Sequence, residues 1–161
     1  MIIGMRGHDF GRMEPRALAL AIRETGFEAT QLAFAKAFPA PAEQYMTPGA
    51  LSEIRSAFAG IVLPVMGCYV SASDRDPDVL AEAKARFKRS LSASAILGAG
   101  CVGTETTHFT FPESEREAAY ARLLDFTREV CAHAEQVHAL VGIEPVALHT
   151  LNTPELARRL I

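Results

Sequence analysis

The sequence has little sulfur chemistry to offer. Its three cysteines, Cys68, Cys101 and Cys131, are odd in number, widely spaced and form no CxxC pair. That argues against a disulfide framework or a zinc ribbon, and free thiols suit a reducing compartment, so a cytoplasmic protein is expected. A basic excess is also missing. The formal net charge is -3 and no run of Lys and Arg stands out, which leaves no footprint for nucleic acid. The apolar start, MIIGMRGHDF, is too short for a signal-peptide core and meets charge at once. The longest uncharged stretch, Ser56 to Ser73, is broken by Gly60, Pro64 and Gly67. It reads as a buried strand with its flanks, not a membrane span. The first glycine-bearing turn, Gly4 to Gly11, is neither GxGxxG nor a Walker pattern, so nothing marks a nucleotide cradle.

What is present is a regular alternation. Of the 161 residues, 49% are hydrophobic and 22% charged, the balance of one folded domain. Helix starts are written as capping side chains before proline: Thr47-Pro48, Asp76-Pro77, Thr153-Pro154 and, more weakly, Glu14-Pro15. The cap oxygen accepts an orphan backbone N–H, and proline has none to lose. Ser114 with Glu117 reads as a capping box. Apolar residues then recur at helical spacing, as in Leu80, Ala83, Phe87 and Leu91, and glycines such as Gly26, Gly60 and Gly98 supply stops.

Between these helices lie apolar runs at Ile2–Met5, Ala29–Phe34, Ile61–Tyr69, Cys101–Thr104 and Leu140–Leu148. Near-continuous apolarity suits strands of a parallel sheet, and strand–helix repeated five times means an α/β domain over residues 1–161. Two architectures fit. A doubly wound five-stranded parallel sheet matches the length, whereas a complete (β/α)8 barrel needs ~250 residues.

In either architecture ligands bind beyond the carboxyl ends of the strands. The polar residues expected there are Arg6, His8 and Asp9 after the first strand, Gln31 with Lys36 at the second, and Tyr69 at the third. Thr104, Glu105 and His108 follow the fourth strand, and Glu144 and His149 the fifth. Glu144 is the most informative, being the only charged residue between Glu135 and Glu155 and set in an apolar run. A buried carboxylate is costly unless paired or bound to metal. The ordinary explanation is a loop cap or an arginine partner; the sharper one is a metal ligand or catalytic base. Glu105 and His108 lie in a polar loop that solvation alone would explain, and His8 with Asp9 could be a local turn.

Taken in order, several segments resemble the sugar isomerase/epimerase superfamily with a xylose-isomerase-like TIM barrel. They are Ile3 to Phe10, Gly26 to Leu32, Leu97 to Thr106, Val141 to Pro145 and Asn152 to Glu155. The resemblance implies a partial (β/α)8 barrel of five βα units, the N-terminal part of a longer barrel. It implies a small-molecule sugar or sugar phosphate as substrate and a divalent cation, Mn²⁺ or Mg²⁺, with Zn²⁺ a further option. Glu144 matches the family's fifth-strand metal-binding glutamate and, with Glu105, would carry catalysis. His8, Gln31, Tyr69, His108 and His149 would line the substrate pocket. Many relatives carry glutamate at the position of Gln31.

The reaction implied is metal-assisted proton transfer beside a carbonyl, with glutamates taking and returning the proton. One carboxylate does not make such a cation site, so ligands from further strands, or a second copy covering the open sheet edges in a homo-oligomer, are expected. The competing expectations are a non-catalytic α/β binding or assembly module and, further off, an apurinic-site endonuclease. No membrane or nucleic-acid partner is expected.

Overall fold

The computed structural model describes all 161 residues. Five short strands, β1 (Gly4–Arg6), β2 (Ala29–Gln31), β3 (Val65–Gly67), β4 (Cys101–Glu105) and β5 (Val141–Glu144), alternate with helices. The helices are α1 (Pro15–Glu24), α2 (Phe34–Ala37), α3 (Pro48–Ala57), α4 (Pro77–Leu97), α5 (Arg116–Val137) and α6 (Pro154–Leu160). No helix is long and apolar enough to cross a membrane.

Every strand pairing is parallel, and each joins sequence neighbours: β1 with β2, β3 with β4, and β4 with β5. Single parallel bridges at Ala29–Val62 and Leu32–Met66 carry the order across the gap between β2 and β3. Backbone N–H groups of Thr30 and Gly67 donate to Val62 and Leu32 at 2.9 and 3.0 Å there. The order 1-2-3-4-5 has no reversal, so the doubly wound alternative, which needs a switch point, is excluded and the arc of a barrel remains. One side of β1 and one side of β5 are unpaired.

Alternation sets the two faces of the arc. In β4, Val102 and Thr104 are buried while Cys101, Gly103 and Glu105 are only half-buried. The buried set packs on the helices; the other set makes the concave face. The core lies between sheet and helices and includes Leu18 and Ile22 of α1, Met66 of β3, and Phe87 and Phe126 of α4 and α5. Those two rings meet edge to face at 5.5 Å. On the concave side Gly4 lets β1 approach β2, because a Cβ there would stand 2.6 Å from the carbonyl oxygen of Ala29.

Three of the expected caps form. Thr47 accepts from the Ala50 N–H, Asp76 from Asp78 and Val79, and Thr153 from Leu156. Gly98 ends α4 in the left-handed region at φ 71°. Two expectations fail. Glu14 starts α1 without a side-chain cap, its role confined to preceding Pro15. The Ser114–Glu117 box does not form, because Glu113–Glu115 make a 3-10 turn and α5 starts after it, at Arg116. Except for β4, the strands are also shorter than the apolar runs. Phe34 leaves the sheet to open α2, and the segment after Glu144 leaves β5 as a loop.

Candidate active site at the carboxyl rim of the strands

The parallel arrangement brings five strand ends to one rim. Registers Arg6↔Gln31 and Glu105↔Glu144 set residues side by side on the concave face. Neighbouring strands lie ~4.8 Å apart, so the two glutamates leave adjacent positions in the same direction. Glu144 is exposed. That corrects the expectation of a buried carboxylate: β5 is paired on one side only and Val141 and Ile143 beside it are half-buried.

His149 comes to Glu105 from the loop after β5. Its Nε2 stands 4.0 Å from a Glu105 carboxylate oxygen, with the ring 13% exposed. The His149 ring meets that of His108 edge-on at 5.6 Å. An antiparallel bridge between these two residues ties the loop after β4 to the loop after β5. The Nδ1 of His149 is buried without a hydrogen-bond partner, as is the Nδ1 of His8. Buried polar atoms in this state are expensive.

Tyr69 continues the rim. Its hydroxyl accepts from the Gln31 side-chain amide at 2.9 Å, and the Lys36 ammonium sits 3.7 Å from its ring centre. Burial, with further help from the nearby charges of Glu105 and Glu144, pushes the Tyr69 phenol up, against a smaller opposing effect of Gln31. It therefore stays protonated and able to donate throughout the neutral range. His8 stands apart on the 3-10 turn after β1. Burial holds its imidazole below the usual value, partly offset by Asp9, so it is neutral at pH 7. Asp9 itself is paired with Arg6 at 3.0 Å.

The structure thus gathers Gln31, Tyr69, Glu105, His108, Glu144 and His149 along one stretch of rim and leaves His8 at its end. It also shows what residue-by-residue reading missed, a hydroxyl network that locks three loops together. Ser73 and Thr150 share a 2.7 Å hydrogen bond, and Thr107 Oγ1 accepts from the Ser73 N–H at 2.7 Å. Thr106 Oγ1 accepts from the Leu151 N–H at 3.1 Å. Arg116 donates to the carbonyls of His149 and Thr150. The cluster Thr104–Thr107 was the available signal: short hydroxyl side chains after an apolar strand satisfy backbone groups that loops leave open.

The donor set does not fit a complete divalent-cation site. No group of three or more His, Cys, Asp or Glu side chains in the chain is placed to hold a metal ion, and hard cations want six or so oxygen ligands.

The fold matches solved structures closely at low identity. Against 3-keto-D-glucoside 4-epimerase YcjR from E. coli the TM-score is 0.81 at 19% identity, covering 100% of this chain and 63% of that one. Against the IOLI protein with a zinc atom it is 0.77 at 18%, covering 100% and 58%. Against a xylose isomerase-like TIM barrel protein from Mycobacterium smegmatis, in complex with magnesium, it is 0.67 at 15%, covering 99% and 59%. The chain therefore spans about three-fifths of the length of these structures. No curated protein matches the sequence. The family model described as xylose isomerase-like TIM barrel matches residues 19–161, and the chain belongs to that family.

Proposed function

We propose that this chain supplies the first five βα units of a cytoplasmic sugar isomerase or epimerase that moves a proton beside a carbonyl. The observation that carries the reading is the pair Glu105 and Glu144, in register on one face of the rim, with His149 against Glu105. The fold's likeness to a sugar epimerase and to zinc- and magnesium-bearing barrels supports the class.

In this reading a sugar lies across the concave face. The Glu144 carboxylate takes the proton from the carbon beside the carbonyl, the C–H electron pair becomes the enediolate, and charge moves to the carbonyl oxygen. Tyr69, kept protonated by its burial and oriented by Gln31, donates to that oxygen. His8, His108 and His149 bind sugar hydroxyls. Glu144 returns that proton from the same side to the neighbouring carbon, while Glu105, beside it, takes the proton of the adjoining hydroxyl and passes it to the former carbonyl oxygen, which gives aldose–ketose isomerisation. Return to the opposite face, which gives an epimer, needs a base these five strands do not place. The cation the family uses would polarise the carbonyl, and Glu144 would be one of its ligands. Since three donors do not converge here, we assign no step through it. A second copy of the chain is proposed to cover the unpaired sides of β1 and β5.

The test is deuterium uptake from D2O into ketohexoses by the full-length barrel that contains these five units, with and without MnCl2 or MgCl2. Cation-dependent uptake that falls by about 10²-fold or more in Glu144→Gln and Glu105→Gln is expected. No uptake from any ketose, or uptake unchanged in both variants, would refute the reading and favour a non-catalytic module.

A further inference from the structure

A second recess lies on the other side of the sheet. It is a cavity of about 180 Å³ between α2, the 3-10 turn Ala42–Met46, the end of β3 and α4. At roughly 30 Å³ per water it has room for about six waters. Its floor is apolar, made by Phe34, Met46 and Met66, and three cations stand around it, Lys36, Arg86 and Arg89. Glu43 is the one acid lining it, and its carboxylate reaches Arg86 only at 4.0 Å. Lys36 has no carboxylate partner and rests on Tyr69. Arg89 pairs with Glu82 at 2.8 Å through a half-exposed contact that solvent weakens. Ser90, 3% exposed, forms part of the wall, its hydroxyl donating to the Arg86 carbonyl at 3.1 Å.

This concentration of positive charge is unexpected in a chain of net charge -3. An apolar floor with a few convergent polar groups at the rim is the composition of a small-ligand site. Guanidinium groups match carboxylates and bind them in pairs of hydrogen bonds. We propose that this recess binds a small organic anion, a carboxylate on a short apolar body, with the acid between Arg86, Arg89 and Lys36 and the body against Phe34, Met46 and Met66. The recess shares Tyr69 with the rim where Glu105 and Glu144 stand, but its floor is on the helix side of β3, where Met66 and Cys68 are buried. It does not depend on the isomerase reading. It touches that rim through Lys36, which contacts the Tyr69 ring.

The five methionines make the test local. With methyl-¹³C methionine, titration with sodium butyrate shifts the Met46 and Met66 methyls saturably and leaves Met1, Met5 and Met13 in place. Butan-1-ol, the neutral analogue, binds about tenfold more weakly or worse, since charge-assisted hydrogen bonds are lost. R86Q/R89Q weakens butyrate by a similar factor, and R86K/R89K, which keeps the charge, retains most of the binding. Both arginines are half-exposed, so these variants fold. Equal binding of butanol and butyrate, an unchanged R86Q/R89Q titration, or shifts spread over all five methyls would overturn the proposal.

Discussion

The hydroxyl relay behind the rim gives a prediction with an internal control. Thr150 is 1% exposed and Ser73 3%, so neither side chain has water to fall back on. Thr150 Oγ1 is 3.3 Å from the Thr107 carbonyl and 2.7 Å from Ser73 Oγ. It has one hydrogen. If it donates to the carbonyl, Ser73 must donate to it, and the hydroxyls run one way: Ser73 to Thr150 to Thr107.

Thr150→Val keeps the shape but strands the Ser73 hydroxyl in the interior. A lost hydrogen bond is worth about 1 kcal/mol and an unsatisfied buried group about 1–3 kcal/mol, so we expect a loss of about 2–3 kcal/mol. Ser73→Ala leaves Thr150 its bond to Thr107 and should cost only about 1 kcal/mol. The double variant removes both ends and should cost about 2 kcal/mol, less than the sum. Urea unfolding of the four proteins with a shared m-value measures this. Equal losses in the two single variants, or strict additivity, would refute the directional relay.

Other outcomes follow from single contacts. Phe126 is fully buried and packs edge-on against Phe87, so Phe126→Ala should lose about 3–5 kcal/mol and lower Tm by roughly 10 °C in a thermal scan. Asp76 caps α4 through two backbone N–H groups; Asp76→Ala should cost about 1 kcal/mol, largely restored by Asp76→Asn, as read from denaturation midpoints. His8 has an imidazole held below its usual 6.5 by burial. The unfolded chain therefore binds the proton first, and His8 makes stability fall as pH drops below about 6.5 until the folded form also protonates. His8→Gln should flatten that part of the stability–pH curve, measured between pH 7.5 and 5.

How much of this could be read from the chain differs by level. Proline after a capping side chain placed α3, α4 and α6, because that pair acts within one turn and needs no tertiary partner. The alternation of apolar runs and helices gave the parallel sheet for the same local reason. Strand length was overestimated at both Ala29–Phe34 and Leu140–Leu148. Apolar residues there serve a short helix and a loop as well as the sheet, and hydrophobicity does not distinguish these uses. The choice between a barrel arc and a doubly wound sheet was out of reach of local pattern. It rests on Leu32 pairing with Met66 across the intervening α2 and α3. At the rim, strand-end position was enough to name Glu105, Glu144 and Tyr69. Nothing in the sequence says that His149 turns toward Glu105, since that depends on the Thr107–Thr150 and Phe109–Leu148 backbone contacts between two loops.

The unbroken strand order also bears on how the molecule is made. Each strand finds its partner in the next one synthesised, so every pairing closes over one local connection, the longest holding α2 and α3 between β2 and β3, and no strand has to wait for a distant segment. Loop-closure entropy grows with the length of chain enclosed, and folds built from near neighbours form quickly for their size. Units can therefore settle onto the growing sheet as the chain emerges from the ribosome, N-terminal first. At every stage the bare edges are those of β1 and of the newest strand, and each unit that joins covers the second of these.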